Sequence, residues 1–170
     1  GRCFESGNGR EKSHPLAAQW YRRAADGGNA YGMYNLGLAY EYGRGVTQSF
    51  DEAANWFRQS LAAKLDVGDS VDARRHLKRC MNHVGAARGD PQAQHDLAID
   101  PFNGHAPEVK DVRRAVDMMR QAALGNLPEA WYIYAAWLHT GFGGVKADLP
   151  QAAMLMKKAA DAGHEQATIR

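Results

Sequence analysis

The sequence predicts an all-α fold, a right-handed α/α superhelical solenoid of stacked antiparallel helix pairs. Apolar and small residues recur at helical spacing in segments that are separated by glycine-rich connectors. These segments come in pairs, and the pairs return with a period of 36 or 37 residues, as Gly7 and Gly43, or Ala93 and Ala130, illustrate. One helix pair cannot bury its apolar faces alone, so neighbouring copies are expected to stack in a row.

The clearest copy spans residues 29–64. Its first helix is expected at Ala30–Tyr42 and its second at residues 50–64, because small and aromatic residues recur there on one helical face. The connector begins with Gly43, at the place where a left-handed cap ends the first helix. Glycine adopts that conformation at the least cost, which explains its return in the other copies.

Partial or broken copies make up the rest of the chain. In the irregular copy, Pro101 removes a backbone donor, so its first helix must end near Ile99. The chain begins near the end of a first helix whose start is missing, which places Cys3 at a small, buried helix position. A single array of residues 1–170 therefore divides into a partial repeat (1–28), a repeat (29–64), a divergent helical insert (65–89), an irregular repeat (90–126), a repeat (127–163) and the start of a further repeat (164–170).

Residue size explains why the pattern recurs. Alanine and glycine let neighbouring helices approach closely, and large aromatic rings fill the remaining gaps. The small residues expected at these interfaces are Gly32, Gly37, Ala93, Ala98, Ala130 and Ala135. The aromatic residues expected in the core are Trp20, Tyr40, Trp56, Phe57 and Tyr134.

Charge, hydropathy and cysteine content exclude several classes of function. The formal charge is +2 and no polybasic run or nucleic-acid-binding motif is present, so nucleic acid is not an expected partner. No apolar run is long enough to cross a bilayer, so membrane insertion is not expected. The chain lacks an initiator methionine, as expected of an excised fragment or a mature segment. Cys3 and Cys80 give no disulfide framework and are expected to lie too far apart to form a disulfide. The cysteine content therefore does not indicate the cellular compartment.

One cluster of metal-binding residue types lies in the divergent helix, which is expected at about residues 71–88. His76, Cys80 and His83 are spaced i, i+4 and i+7 and share one face, with Asp72 one turn earlier. No second ligand cluster accompanies them, so a mixed polar face with one buried thiol is preferred and a metal site is the alternative. No paired acid and base, activated nucleophile or phosphate loop is present. No catalytic, cofactor-binding or metal-binding residue is therefore predicted.

The copies share a residue pattern. It runs Gly/Asp-Asn-x-x-Ala/Gly-x-x-x-Leu-Gly-x-x-Tyr-x-x-Gly-x-Gly-Val, followed by Ala-x-x-Trp-Tyr/Phe-x-x-Ala-Ala-x-x-Gly. The best copy carries it at Asn29, Leu36, Gly37, Tyr40, Gly43, Gly45, Val46, Ala53, Trp56 and Phe57. The copy at residues 127–163 carries it at Ala130, Gly141, Gly143, Val145, Ala152, Ala159, Ala160 and Gly163. This pattern resembles the Sel1-like repeat family, whose members are related to tetratricopeptide repeats.

The resemblance implies an α-solenoid used for protein–protein contact, often in bacterial envelope, signalling, secretion or toxin-immunity settings. The family has no shared catalytic residues to carry over. In the related solenoids the first helices line the concave face, where exposed side chains contact partners. The residues that fall off the packing stripe of these helices, and are expected to bind a partner, are Tyr31, Tyr34, Asn35, Leu38, Tyr42, Tyr132 and His139. Inter-repeat packing or plain surface is the alternative for each of them.

The expected function is that of a non-enzymatic adaptor or regulatory scaffold that binds another protein, such as an envelope or signalling component, in its concave groove. A narrower alternative is an immunity protein that neutralises a secreted, type VI-like toxin by direct binding. The alternative from another class is a metal-binding or enzymatic module built on His76, Cys80, His83 and the loop at residues 101–107. The resemblance favours the periplasm over the cytoplasm without deciding between them. Truncated ends would expose apolar surface suited to self-association.

Overall fold

The computed structural model describes residues 2–7, 11–100 and 112–168, and helices dominate these residues. The described residues contain no strand, so the all-α prediction is confirmed. The helices are α1 (Arg2–Ser6), α2 (His14–Asp26), α3 (Ala30–Tyr42), α4 (Phe50–Ala62), α5 (Val67–Ala87), α6 (Pro91–Ile99), α7 (Val112–Leu124), α8 (Pro128–Thr140), α9 (Leu149–Asp161) and α10 (Glu165–Thr168). A search of the described residues found no helix with the length and hydropathy that a membrane span requires.

The chain divides into two compact units, unit 1 (Gly1–Val84) and unit 2 (Gly85–Arg170). The division falls inside α5, so unit 1 holds α1 to α4 and most of α5, and unit 2 holds the end of α5 and α6 to α10. The repeat boundaries and the right-handed superhelical path of the whole array stay predictions.

Short polar side chains begin five of the described helices, and glycine ends the first helix of two pairs. Gly43 and Gly141 end α3 and α8 in the left-handed conformation, with φ angles of 65° and 72°, as predicted. In five helices the residue before the first turn accepts a hydrogen bond from a backbone N–H of that turn, namely Ser13, Asn29, Ser49, Asp90 and Asp148.

Helix bounds follow the sequence pattern closely, with two differences. α4 ends at Ala62 rather than at residue 64, because Lys64 has a φ angle of 64°, which a right-handed helix cannot contain. α5 begins at Val67, one turn before the expected residue 71. α6 ends at Ile99, as the position of Pro101 in the sequence predicts.

In unit 1, α3 and α4 pack antiparallel and at close range. Near their connector the N–H of Ser49 donates to the carbonyl oxygen of Tyr40 at 3.0 Å, and farther from it Phe57 lies against Gly37. A Cβ atom at Gly37 would lie 2.8 Å from the Phe57 ring, and one at Gly32 would lie 2.6 Å from a side-chain atom of α2. The predicted close approach at these two glycines is confirmed.

Two apolar clusters form the core described for unit 1. Trp56 and Phe57 are buried as predicted, and Tyr40 packs partly buried against both clusters. The first cluster holds Ala17, Tyr21, Ala25, Leu36 and Trp56. The second cluster holds Ala53, Ala54, Phe57, Leu65, Ala73 and Cys80.

Two predictions for the start of the chain are wrong. Trp20 is 47% exposed, although Trp56 takes the same place in the next helix pair and is only 8% exposed. Residues of α2 pack against Trp56, whereas Trp20 belongs to none of the core clusters of the described residues. Cys3, which lies in α1, is exposed as well. Neither Cys3 nor Cys80 is in a disulfide.

In unit 2, helices α6 to α9 share an apolar core. Ala98, Ala130 and Ala135 are fully buried, as the packing pattern predicts, and Tyr134 is buried as well. Pro91 fills the space beside Gly125, where a Cβ atom would meet the proline Cγ atom at 2.3 Å. The buried members of this core are Ala98, Val116, Met119, Ala122, Ala123, Ala130, Tyr134, Ala135, Leu138, Ala152 and Leu155.

Candidate partner-binding surface

The predicted contact residues of unit 1 all lie on α3, and they differ in burial. Tyr31 is 42% exposed, whereas Asn35 and Tyr42 are partly buried. Tyr34 and Leu38 are also partly buried, and they pack against the core cluster that α4 and α5 share. The prediction that Tyr34 and Leu38 lie off the packing stripe is wrong, because side chains of α5 reach this side of α3. Contact of any of the five residues with a partner stays a prediction.

A buried ion pair joins α3 to α5. Glu41 is completely buried, and its Oε1 atom accepts hydrogen bonds from Nε of Arg79, at 2.7 Å, and from Nη2 of the same residue. Nη2 of Arg79 also donates to the hydroxyl oxygen of Tyr42 at 2.7 Å, and Nδ1 of His76 lies 2.8 Å from Oε2 of Glu41. Burial alone would lower the pKa of the Arg79 guanidinium, but the Glu41 carboxylate and the Tyr42 hydroxyl outweigh burial and raise that pKa.

The sequence contains only part of the information that defines this ion pair. Glu41 lies three residues after Leu38 and seven after Tyr34, so it shares their face of α3. Arg79 lies three residues after His76 and shares its face of α5. A carboxylate and a guanidinium on two packed faces are a signal for a buried pair. The pairing itself joins residues that lie far apart in the chain, and helical periodicity does not reveal it.

The three candidate metal ligands of α5 each lie in a different environment. His76 faces Glu41, Cys80 is buried in the core, and His83 stacks on an aromatic ring of α4 with the ring centroids 3.9 Å apart. Burial and, less strongly, Glu41 raise the pKa of the Cys80 thiol, which disfavours the thiolate that binds metal. Among residues 2–7, 11–100 and 112–168, no group of three His, Cys, Asp or Glu side chains could hold a metal ion. The loop at residues 101–107, on which the enzymatic alternative also depends, lies outside the described residues.

Tyr31 is held in a fixed position at the exposed edge of α3. Its hydroxyl donates a hydrogen bond to Oδ2 of Asp66, in the connector before α5, and its carbonyl oxygen accepts one from Nδ2 of Asn35 at 2.7 Å. The bond to Asp66, with smaller effects of burial and of Asp69, raises the pKa of Tyr31 to about 12. An exposed aromatic ring that is already fixed loses little entropy on binding, so Tyr31 is suited to contact with a partner.

The substitution Asp66→Asn is expected to lower the pKa of Tyr31 towards its ordinary value of about 10, because the neutral amide no longer disfavours the phenolate. The folded-state pKa, about 12, lies above that of the unfolded chain. The stabilisation from the Tyr31–Asp66 bond is therefore complete below about pH 10 and is lost as the pH rises through about 12. Titration of labelled tyrosine by NMR, with Tyr31→Phe to assign the signal, measures the change.

The control for this titration is Asp26→Asn, which removes an exposed carboxylate on α2. It should leave the titration of Tyr31 unchanged. A Tyr31 signal that titrates identically in Asp66→Asn and in the unsubstituted chain would show that this hydrogen bond does not set the pKa.

In unit 2, the two predicted contact residues of α8 also differ in burial. Tyr132 is partly buried and stacks on the imidazole ring of His164, with the ring centroids 4.6 Å apart. His139 is exposed. It lies two residues before the glycine that ends α8, just as Glu41 lies two residues before the glycine that ends α3. The same repeat position is therefore solvent-exposed in one helix pair and completely buried in another.

An exposed surface that was not predicted lies on α2 in unit 1. Leu16 is 42% exposed and Trp20 is 47% exposed, and the guanidinium carbon of Arg23 lies 5.2 Å from the centroid of a Trp20 ring. The i, i+4 and i+7 spacing of these three residues was an available signal for one helical face. Beside them is a cleft of about 410 Å³, lined by Pro15, Ala18, Gln19, Arg22, Arg23, Leu36, Gly45 and Val46. The cleft together with Leu16 and Trp20 is the α2 surface.

A protein-family model described as the Sel1 repeat matches the chain four times. The matches cover residues 1–29, 30–65, 91–127 and 128–164. α5 (Val67–Ala87) lies between the second and third matches. A comparison with curated proteins gave no match.

Several solved structures are similar to the chain. A protective antigen of uropathogenic Escherichia coli that displays an SLR fold is 26% identical over 98% of this chain and 30% of its own, with a TM-score of 0.43. A Sel1 repeat protein from Oxalobacter formigenes is 27% identical over 98% of this chain and 70% of its own, with a TM-score of 0.42. An immunity protein from Pseudomonas aeruginosa is 14% identical over 88% of this chain and 59% of its own, with a TM-score of 0.40. Because these TM-scores are below 0.5, no function is transferred from the three structures.

Proposed function

The chain belongs to the Sel1 repeat family, and from this membership we propose that it is a non-catalytic module that binds another protein. Stacked helical repeats expose long faces of side chains that no neighbouring repeat covers, and such faces are commonly used for protein–protein contact. Unit 1 offers a suitable face on α3, the α3 surface, which consists of Tyr31, Asn35 and Tyr42.

The exposed and fixed ring of Tyr31 is the observation that carries this proposal. The hydrogen bond from its hydroxyl to Oδ2 of Asp66 holds the ring in one place, while 42% of the residue remains exposed. Tyr42, farther along α3, has the guanidinium carbons of Arg44 and Arg79 at 4.8 Å and 5.2 Å from its ring centroid. Tyrosine and arginine are enriched among the residues that dominate interface energies, so these positions are favourable anchors.

Tyr31→Ala is expected to weaken binding of the cellular partner by about 2 kcal/mol, which is about thirtyfold in the dissociation constant. The chain is used as bait in a lysate of its source cells, the retained protein is identified, and its affinity is then measured with purified components. Tyr34→Ala is less informative, because Tyr34 packs against the core and its loss would also change stability.

The control for the binding experiment is Leu149→Ala on α9, since Leu149 is 58% exposed and lies away from α3 in the sequence. It should bind the partner as the unsubstituted chain does. Equal affinities for Tyr31→Ala, Tyr42→Ala and the unsubstituted chain would reject the α3 surface as the contact site.

Neutralisation of a secreted toxin is a narrower form of the same proposal. In that case the retained protein would be a single toxin, bound with nanomolar affinity, and co-expression of the chain would protect cells from it. Retention of an envelope or signalling component without any toxic activity would instead support the adaptor or scaffold role. The identity of the retained protein thus decides between the two forms.

A further inference from the structure

The α2 surface combines an apolar cleft with two arginine side chains. Ala18, Leu36 and Val46 supply apolar wall to the cleft, and Leu16 and Trp20 extend the apolar area on the exposed side of α2. Arg22 and Arg23 also line the cleft, and none of its lining residues in the described part of the chain is a carboxylate. The surface therefore has room for an apolar side chain and positive charge beside it.

Aromatic rings hold both arginines in place. Nη2 of Arg22 donates to the hydroxyl oxygen of Tyr40 at 2.6 Å, and its guanidinium carbon lies 5.0 Å from a ring centroid of Trp56. The guanidinium carbon of Arg23 lies 5.2 Å from a ring centroid of Trp20. A guanidinium that rests on an aromatic face keeps its remaining N–H donors available for a carboxylate.

Neither arginine has a carboxylate partner among the described residues, which distinguishes them from several other arginines of the chain. Nη1 of Arg44 lies 3.7 Å from Oε1 of Glu5. In unit 2, Arg120 lines a cleft of about 370 Å³, and its Nη2 atom lies 3.6 Å from Oδ1 of Asp117. No carboxylate of the described residues therefore balances the positive charge of Arg22 and Arg23 at the α2 surface.

We propose that the α2 surface binds a segment of a partner protein in which an apolar side chain is flanked by carboxylates. This inference rests on the proposed function and adds the chemistry of the partner. The apolar side chain enters the cleft beside Ala18 and Leu36, and the carboxylates accept hydrogen bonds from Arg22 and Arg23. Charge-assisted bonds from arginine are stronger than neutral ones and fix the orientation of the segment.

A labelled peptide tests the proposal. The probe has a central Leu-Phe pair with glutamates on both sides, and matched versions replace the glutamates by glutamine or by lysine. Fluorescence polarisation is expected to show binding of the glutamate peptide, with weaker binding at higher ionic strength. Trp20→Ala and Arg23→Glu are each expected to raise its dissociation constant about tenfold. Both positions are exposed, so neither variant should disturb the fold, and circular dichroism checks this.

Two control variants make matching changes elsewhere. Arg58→Glu alters charge by the same amount at an exposed position of α4, and Leu124→Ala removes an apolar side chain that is 70% exposed in unit 2. Both should bind the glutamate peptide as the unsubstituted chain does. The proposal is overturned if the peptide does not bind, if the glutamine or lysine version binds equally, or if the controls weaken binding as much as Arg23→Glu. Displacement of the peptide by an oligonucleotide of equal charge would also overturn it.

The cellular capture experiment separates failure of this inference from failure of the proposed function. If a partner is captured through Tyr31 but the peptide experiment fails, the α2 proposal falls and the protein-binding function stands. If the peptide behaves as expected but the chain retains no protein from its source cells, the proposed function is rejected and the α2 surface remains a binding site for acidic segments.

Discussion

Replacing Glu41 with alanine is expected to lower the free energy of unfolding by about 3–5 kcal/mol. The substitution removes the carboxylate that accepts two hydrogen bonds from Arg79, whose side chain is only 11% exposed. The guanidinium then remains buried without a counter-charge, and the ring of Tyr42 offsets only part of the desolvation cost. Urea unfolding followed by circular dichroism measures the change.

Arg75→Ala is the control for the ion-pair experiment. Nη2 of Arg75 lies 2.8 Å from Oδ1 of Asp72, and the two side chains are 55% and 45% exposed. Loss of this exposed ion pair should lower the free energy of unfolding by less than about 1 kcal/mol. The double substitution of Glu41→Leu with Arg79→Met should regain most of the stability, because it leaves no unpaired charge. If Glu41→Ala lowers the free energy of unfolding no more than Arg75→Ala does, the buried ion pair does not hold α5 to α3.

Gly45→Ala is expected to lower the free energy of unfolding by about 2–5 kcal/mol, the sum of left-handed strain and overcrowding. Gly45 lies in the α3–α4 connector with a φ angle of 76°. A Cβ atom there would lie 2.2 Å from the carbonyl oxygen of His14 and 2.6 Å from the nitrogen of Pro15, and both are backbone atoms. The connector and the start of α2 would have to separate. The same urea unfolding experiment measures this loss.

Gly28→Ala separates the two contributions to the Gly45 effect. Gly28 has a φ angle of 81°, but a Cβ atom there would have no neighbour within 4 Å. Gly28→Ala should therefore lower the free energy of unfolding by about 1–2 kcal/mol, which is the strain of a left-handed backbone at alanine alone. If Gly45→Ala and Gly28→Ala destabilise the chain equally, the connector does not pack tightly on α2.

Helix positions were predictable from the sequence because the signals that set them are local. Periodic small and aromatic residues, with a polar residue at the start and a glycine at the end, define α3 (Ala30–Tyr42) as the structure has it. The position of Pro101 in the sequence predicted the end of α6 for a similar reason, because proline lacks a backbone N–H and clashes with the turn that precedes it. These effects need no knowledge of the rest of the fold.

Burial was predictable only where the neighbouring helix follows the repeat. Trp20 and Trp56 take the same place in successive helix pairs, yet α2 covers only Trp56. Glu41 and His139 also share one repeat position, but Arg79 and His76 of the divergent α5 enclose only Glu41. Periodicity assigns a residue to a place in the repeat, whereas the identity of the facing side chain decides whether that place is buried, charged or exposed.

The two thiols of the chain differ in accessibility, and this difference makes Cys80 a chemical reporter of motion in α5. Cys3 is exposed, so an alkylating reagent reaches it without any change in the fold. Cys80 has no exposed surface, and its raised thiol pKa keeps it in the unreactive form. Alkylation of Cys80 therefore requires α5 to separate from its neighbours, and the modification rate counts how often that opening occurs.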